Sequence, residues 1–164
     1  MSHSVAPKPR IPTSGRNKIT IVASQYNQDY TDALVQATIT ELSAILPSAR
    51  VDLIRVPGAY EIPLATKLVL AHEEPVAVIC LGLIIDGETA HADLVATSVT
   101  DQLLKLSLDY TVPVIHEVLL VDNHQQAHAR CVGTEKNRGV DAARATAGMI
   151  EVCKELTRKN SRAR

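Results

Sequence analysis

The chain has 164 residues, a formal net charge of −1, 46% hydrophobic residues and 21% charged residues. That is enough apolar material for one globular domain, and it excludes both a disordered chain and a general nucleic-acid or anionic-membrane binder. No apolar stretch is long enough to span a bilayer, and Cys80, Cys131 and Cys153 lack the paired spacing of a disulfide framework or zinc site, which favours the reducing cytoplasm.

Residues 1–17 hold Ser, Pro, Lys and Arg without periodicity and read as a flexible N-terminal arm. The arm lacks acids, as targeting peptides do, but it is short and has no apolar segment. Pro7, Pro9 and Pro12 favour an extended arm that can lie on a neighbouring copy. A single domain is expected over 18–158, with a C-terminal tail at 159–164.

KITIVA, Lys18 to Ala23, predicts a first strand, and Ser24 to Asn27 a loop. Asp29 to Leu46 predicts a helix that Pro47 ends, with Leu34, Thr38, Leu42 and Ile45 at helical spacing. Val51 to Val56 is a second strand, stopped by the turn pair Pro57-Gly58. A helix follows from Ile62 to about Ala71. Val76 to Leu81 is an unbroken apolar run, as expected of a strand buried on both faces. Gly82 allows a close approach, Asp86-Gly87 breaks the run, and a helix opens through Glu88, Thr89, Ala90 and His91 to about Asp109. Val112 to Val121 is a fourth strand. Asp122 or Asn123 caps a short helix with Gln126, His128 and Arg130. Gly133 to Gly139 is a kinked link, and Val140 to Arg158 is the last helix.

Strand and helix alternate four times, which predicts an α/β fold: a four-stranded parallel sheet flanked by helices on both sides. Ligands in such folds sit at the carboxyl ends of the strands. The chemically unusual residues fall there. Tyr26 follows the first strand, where a ring can stack on a heterocycle or pack under its loop. Glu61 follows the second, where a carboxylate can accept from a ring N–H or simply favour a helix dipole. The start of the next helix offers free N–H groups to a phosphate, with Thr89 adding a hydroxyl and His91 able to move protons near neutral pH. His116 sits in an apolar strand, where a satisfied core histidine is the default. Arg130 can pair with a phosphate through its planar fork or lie solvated on its helix. His124 and His128 lack a carboxylate to complete a metal site.

VPGAYEIP (56–63), GLIIDGETAHADLVA (82–96), VPVIHEVLLVDNHQQAHAR (112–130) and NRGVDAA (137–143) resemble the 6,7-dimethyl-8-ribityllumazine synthases of riboflavin biosynthesis. The resemblance runs from Lys18 to about Glu151 in order. It implies a three-layer flavodoxin-like fold and a transferase. That transferase condenses 5-amino-6-(D-ribitylamino)uracil with 3,4-dihydroxy-2-butanone 4-phosphate, releasing phosphate and water, with no cofactor and no metal. It further implies a homopentamer with the site between adjacent subunits, or a 60-subunit shell, with riboflavin synthase as a protein partner and no nucleic acid or membrane.

Carried over by position, Tyr26 stacks on the pyrimidine, and Ala59, Tyr60 and Glu61 line the ribityl and ring pocket. Leu83, Ile84 and Ile85 hold the pyrimidine edge through backbone groups. Glu88, by its N–H, and Thr89 cradle the phosphate. His91 carries protons, and Arg130 from the neighbouring subunit grips the phosphate. The sequence departs from the pattern at His116, where Phe is usual and which would stand in the wall facing the pyrimidine. It departs again at Tyr26, where Phe or Trp is usual. In the link, Thr134 replaces a lysine that Lys136 or Arg138 would stand in for. The competing expectation is a non-catalytic homologue that binds a flavin or pteridine or builds a shell. A riboflavin synthase of the same fold is disfavoured by the phosphate logic of GETAH.

Overall fold

The computed structural model describes residues 17–87 and 90–162, with side chains to 158. Four strands, β1 (Lys18–Ser24), β2 (Arg50–Val56), β3 (Ala77–Ile85) and β4 (Val114–Val121), form one sheet in the order β2-β1-β3-β4. Every pairing is parallel. Helices α1 (Gln28–Ile45), α2 (Ile62–His72), α3 (His91–Tyr110), α4 (His124–Cys131) and α5 (Arg138–Arg162) make the connections and the C-terminus, with a 3-10 turn at Ala59–Glu61 before α2. This is the flavodoxin-like strand order with the last strand missing.

The parallel register follows from burial. β1 and β3 are central and almost wholly buried, so both of their faces are apolar. One face of the sheet carries Ile19, Ile21, Ile79 and Leu81 under Leu34 and Leu42 of α1, Ala127 of α4 and Ala143, Ala147 and Ile150 of α5. The other carries Val22, Val78 and Cys80 under Ile62 and Val69 of α2 and Val99 and Leu103 of α3.

The element boundaries differ from expectation in four instructive places. β3 does not stop at Gly82, because its pairing with β4 continues from Gly82↔Val118 to Ile85↔Val121. β4 begins two residues late. The Ser107 hydroxyl donates to Val112 O (2.9 Å) and accepts from Val114 N–H (3.3 Å), occupying the groups a longer strand would use. α5 starts earlier, because Asn137 caps it by accepting from Val140 N–H (3.1 Å). It also runs on to Arg162, in a stretch with no Gly or Pro to stop it. Asn123, not Asp122, caps α4, accepting from Gln126 N–H (2.9 Å). Most of the N-terminal arm, Glu88, Thr89 and the last two residues of the tail lie outside the described residues.

Candidate active site

Four segments converge at the carboxyl ends of the strands around a cleft of about 690 Å³. The β1–α1 loop brings Tyr26 and Asn27, and the β2–α2 turn brings Gly58, Ala59, Tyr60 and Glu61. The end of β3 brings Leu83, Ile84 and Ile85, and the first turns of α3 bring His91, Ala92, Leu94, Val95 and Ser98. Eight residues singled out from the sequence are thus in one cavity: Tyr26, Ala59, Tyr60, Glu61, Leu83, Ile84, Ile85 and His91.

The first two loops are laced together by backbone. Gln25 N–H donates to Val56 O (2.8 Å) and Tyr26 N–H to Pro57 O (3.1 Å). The Tyr26 ring then crosses Gly58, where a Cβ would lie 3.0 Å from Tyr26 Cδ2 and 2.9 Å from Glu61 Oε2. A side chain there would push the ring and the carboxylate aside. Glu61 does not point freely into the cleft: its Oε2 accepts from Gly58 N–H (2.9 Å), so the carboxylate caps its own turn. Tyr26 and Tyr60 stay 71% and 66% exposed, which leaves their faces open to a ligand.

β3 supplies a backbone edge. β1 pairs with it only as far as Ala23↔Leu81, whereas β4 stays paired to Ile85. Asp86 N–H donates to Val121 O (2.8 Å) on the β4 side. Polar groups alternate along a strand, so those of Leu83 and Ile85 turn the other way, past the end of β1 and toward the cleft. Asn27 Nδ2 meets Leu83 O there at 2.9 Å. The sequence reading missed Asn27. Its signal was an Asn directly before a helix, the residue type that tolerates the left-handed backbone it adopts (φ 56°, ψ 46°). It also missed Ser98, which lies seven residues on from His91 and so on the same helical face. His91 is exposed and is the first residue of α3, not one turn in.

His116 and Arg130 do not line this cleft. His116 is on β4, an edge strand, on the α3 side of the sheet. Its Nδ1 accepts from Val118 N–H (3.1 Å). The proton therefore sits on Nε2, which is 2.7 Å from Thr100 Oγ1, itself donating to Ala96 O (2.8 Å). Burial lowers the His116 pKa, so the ring is held neutral. Arg130 is half-buried on α4, across the sheet.

A second cluster escaped the sequence reading. Glu117 alternates with His116 and so faces α5, where its side chain is only 15% exposed. Burial pushes its pKa up to about 7, although the Arg138 charge pulls it back and Asp141 adds to the rise. Arg138 Nε stands 3.6 Å from Glu117 Oε2, and Arg138 Nη1 donates to Asp141 Oδ2 (2.9 Å). The available signal was a carboxylate inside the apolar run VIHEVLLV. Cys131, beside this cluster, and Cys80 are pushed by burial to about 12, so both thiols stay protonated. Among the described residues no three His, Cys, Asp or Glu side chains are grouped to hold a metal ion, and no helix is long and apolar enough to cross a membrane.

The family model for 6,7-dimethyl-8-ribityllumazine synthase matches residues 16–154, which span every element and every segment of the cleft. The chain belongs to the 6,7-dimethyl-8-ribityllumazine synthase family. It is 38% identical to the lumazine synthase of Stenotrophomonas maltophilia (strain R551-3) over 149 residues, covering 90% of this chain and 94% of that one. It is 36% identical to that of Coxiella burnetii (strain RSA 493 / Nine Mile phase I), covering 88% and 96%, and 38% identical to that of Bdellovibrio bacteriovorus, covering 87% and 78%. The four-stranded parallel sheet and its helical layers agree with the flavodoxin-like fold of the lumazine synthases, which serve riboflavin biosynthesis.

Proposed function

We propose that this chain condenses 5-amino-6-(D-ribitylamino)uracil with 3,4-dihydroxy-2-butanone 4-phosphate to give 6,7-dimethyl-8-ribityllumazine, phosphate and water. One observation carries the assignment of parts: an open aromatic face, a backbone edge that β1 leaves free and an exposed histidine share one cleft. Tyr26 stacks on the pyrimidine, and the backbone of Leu83 to Ile85 pairs with its polar edge. Ala59 and Tyr60 line the ribityl side. Glu61 shapes the turn beneath and presents its remaining lone pairs to the ring.

The chemistry is a sequence of proton transfers around two bound pieces. The uracil's amine adds to the ketone and water leaves, giving an imine. Loss of a proton then expels the phosphate and leaves an enol, which ketonises; the ribityl-bearing nitrogen attacks that new carbonyl, and a second water leaves as the ring closes. No electron carrier is required, because no step changes the total oxidation state. Holding both pieces in place supplies much of the rate. His91 supplies and removes protons. Glu88, through its N–H, and Thr89 hold the leaving phosphate with Arg130.

His116 and Arg130 stand away from the cleft of their own subunit, so we assign them to the cleft of an adjacent copy, with Arg138 as the second cation on the phosphate side. The assembly is a homopentamer, which can close further into a 60-subunit shell, working in the cytoplasm with riboflavin synthase as partner. The test is to mix the two substrates with purified protein and follow the lumazine absorbance and fluorescence, with and without a strong chelator. Turnover is expected in both. Arg130→Ala should raise the KM for the phosphate substrate by about 1.5–3 kcal/mol equivalent. His91→Ala should lower kcat roughly tenfold or more and leave that KM nearly unchanged. Absence of product at every enzyme concentration would sink the assignment. The two variants showing each other's effects would reverse the roles.

A further inference from the structure

Glu117 has no part in the chemistry above, yet it stands 3.6 Å from Arg138, one of the two cations assigned to the phosphate. Arg138, at the N-terminus of α5, lies between two carboxylates, 3.6 Å from Glu117 and 2.9 Å from Asp141. Arg130, the other cation assigned to the phosphate, is on α4, one residue before Cys131. We propose that Glu117 is a positioning residue for the anion site: it holds the Arg138 guanidinium against β4, and its own charge sets how much positive charge an approaching phosphate meets. The proposal rests on the reading of Arg130 and Arg138 as the phosphate-side cations.

The charges are simple to follow. With Glu117 ionised, it, Arg138 and Asp141 sum to −1, and with Glu117 protonated they sum to zero. Burial places that change near neutral pH. The groups that face Glu117 are Arg138 and Asp141 from α5 and Cys131 from α4, with Arg130 beside it. Cys131 stays protonated throughout, and β3 offers Leu81 as its register neighbour. His116 is on the opposite face of the sheet, held by Val118 and Thr100. Below neutral pH the cluster therefore opposes an anion less than above it. A purely structural Glu117 would tie α5 to the sheet without any such effect.

Phosphate esters change charge near pH 6 themselves, so the probe must not. Sulfate keeps its charge and is used as a competitive inhibitor against the phosphate substrate. For the wild type, the sulfate Ki should weaken by roughly fivefold from about pH 6 to about pH 8.5, the size expected for one partly screened charge a few ångströms away. In Glu117→Gln it should stay near its low-pH value across that range. If wild type and Glu117→Gln keep a constant Ki ratio at every pH, the proposal is wrong, even if the variant melts earlier. Should Glu117→Gln not fold, Glu117→Asp draws the acid back from Arg138, and the pH at which Ki breaks must move. An unmoved break overturns the idea equally. Arg130→Ala is measured alongside. If it weakens sulfate while Glu117→Gln tracks the wild type, only this inference falls. If it leaves sulfate untouched, the phosphate assignment falls and takes the inference with it.

Discussion

The two helical layers cover the sheet in different ways. α1 and α5 cross at Gly139, where a Cβ would lie 2.5 Å from Leu34 O and 2.9 Å from Ala37 Cβ. The Thr38 hydroxyl sits between Leu34 O (2.8 Å) and Gly139 O (3.0 Å), and Arg144 Nε reaches Glu41 Oε1 at 2.8 Å. Contact there is backbone to backbone, and the polar groups at the crossing are bonded within the chain. The α2–α3 layer turns Leu64, Leu68, Leu94, Leu104 and Leu108 to solvent, each more than half exposed. α5 does show Met149, Val152 and Leu156 at helical spacing along its C-terminal half, but nothing comparable near the crossing. Leu104 and Leu108 at helical spacing on the outer side of α3, with Leu64 and Leu68 likewise on α2, mark a surface meant to be covered. The first layer closes at its α1–α5 crossing within one chain; we read the leucines of the second as covered by another copy.

The strongest way to break that contrast is to charge the open face. Leu104→Lys with Leu108→Lys should dissolve the assembly into monomers, because each leucine contributes about 1.5–3 kcal/mol when buried and the loss repeats at every interface. Native mass spectrometry reads the outcome. An exposed site on the other layer, Ala145→Lys, should leave the assembly intact. If the double variant stays assembled, the open face is not the interface.

The next largest effect belongs to the closed layer's buried acid. The folded chain keeps the Glu117 proton up to about pH 7, whereas an unfolded chain releases it near the ordinary 4.5 of a glutamate. Its stabilising contribution is therefore full below about pH 4.5 and is lost as the pH rises through 7. Glu117→Gln does not titrate, so its stability relative to wild type should rise by on the order of 3 kcal/mol between about pH 4.5 and about pH 8. Denaturant midpoints across that range check it. Parallel curves would mean that the carboxylate is already ionised in the folded chain.

The glycines of α5 sharpen the picture further. Gly139→Ala should cost about 2 kcal/mol or more, since the new methyl would press on the Leu34 carbonyl and backbone cannot give way as a side chain can. Gly148 has nothing within 4 Å of its missing Cβ, so Gly148→Ala should stabilise by about 0.5–1 kcal/mol through helix propensity. Equal effects at the two sites would mean that the α1–α5 crossing is looser than its geometry.

Much of this was readable from residues. The four apolar runs predict the strands, and alternation with helical periodicity predicts their parallel order, because only helical crossovers connect them. The cleft was legible where chemistry and chain position coincide, as at Tyr26, Glu61 and His91. What was not legible depends on distance along the chain. Asn27 finds Leu83 O across 56 residues, and Arg55 finds Asp32 across 23. Glu117 loses most of its water only because α5 packs over its face of β4 and brings Arg138 and Asp141 beside it. Glu61 looked like a ligand acceptor, and the Gly58 N–H that takes it becomes its partner only once the 3-10 turn has formed.

The smallest effect is expected where the closed layer meets the cleft. Asn27 starts α1, but its side chain leaves that layer to reach Leu83 O, next to the backbone edge left open by β1. Two contributions are mixed there. A left-handed backbone suits Asn better than Ala, and the side-chain bond adds about 1 kcal/mol. Asn27→Ala loses both and should cost about 1–2 kcal/mol. Asn27→Gly relieves the backbone and loses only the bond, so it should cost about half as much. Both should raise the KM for the uracil substrate a few-fold with kcat unchanged, because Leu83 O, no longer held, shifts the edge that the pyrimidine pairs with. If Asn27→Gly matches the wild type in both stability and KM, the Asn27–Leu83 bond positions nothing, and the rigidity of that edge comes from β4 alone.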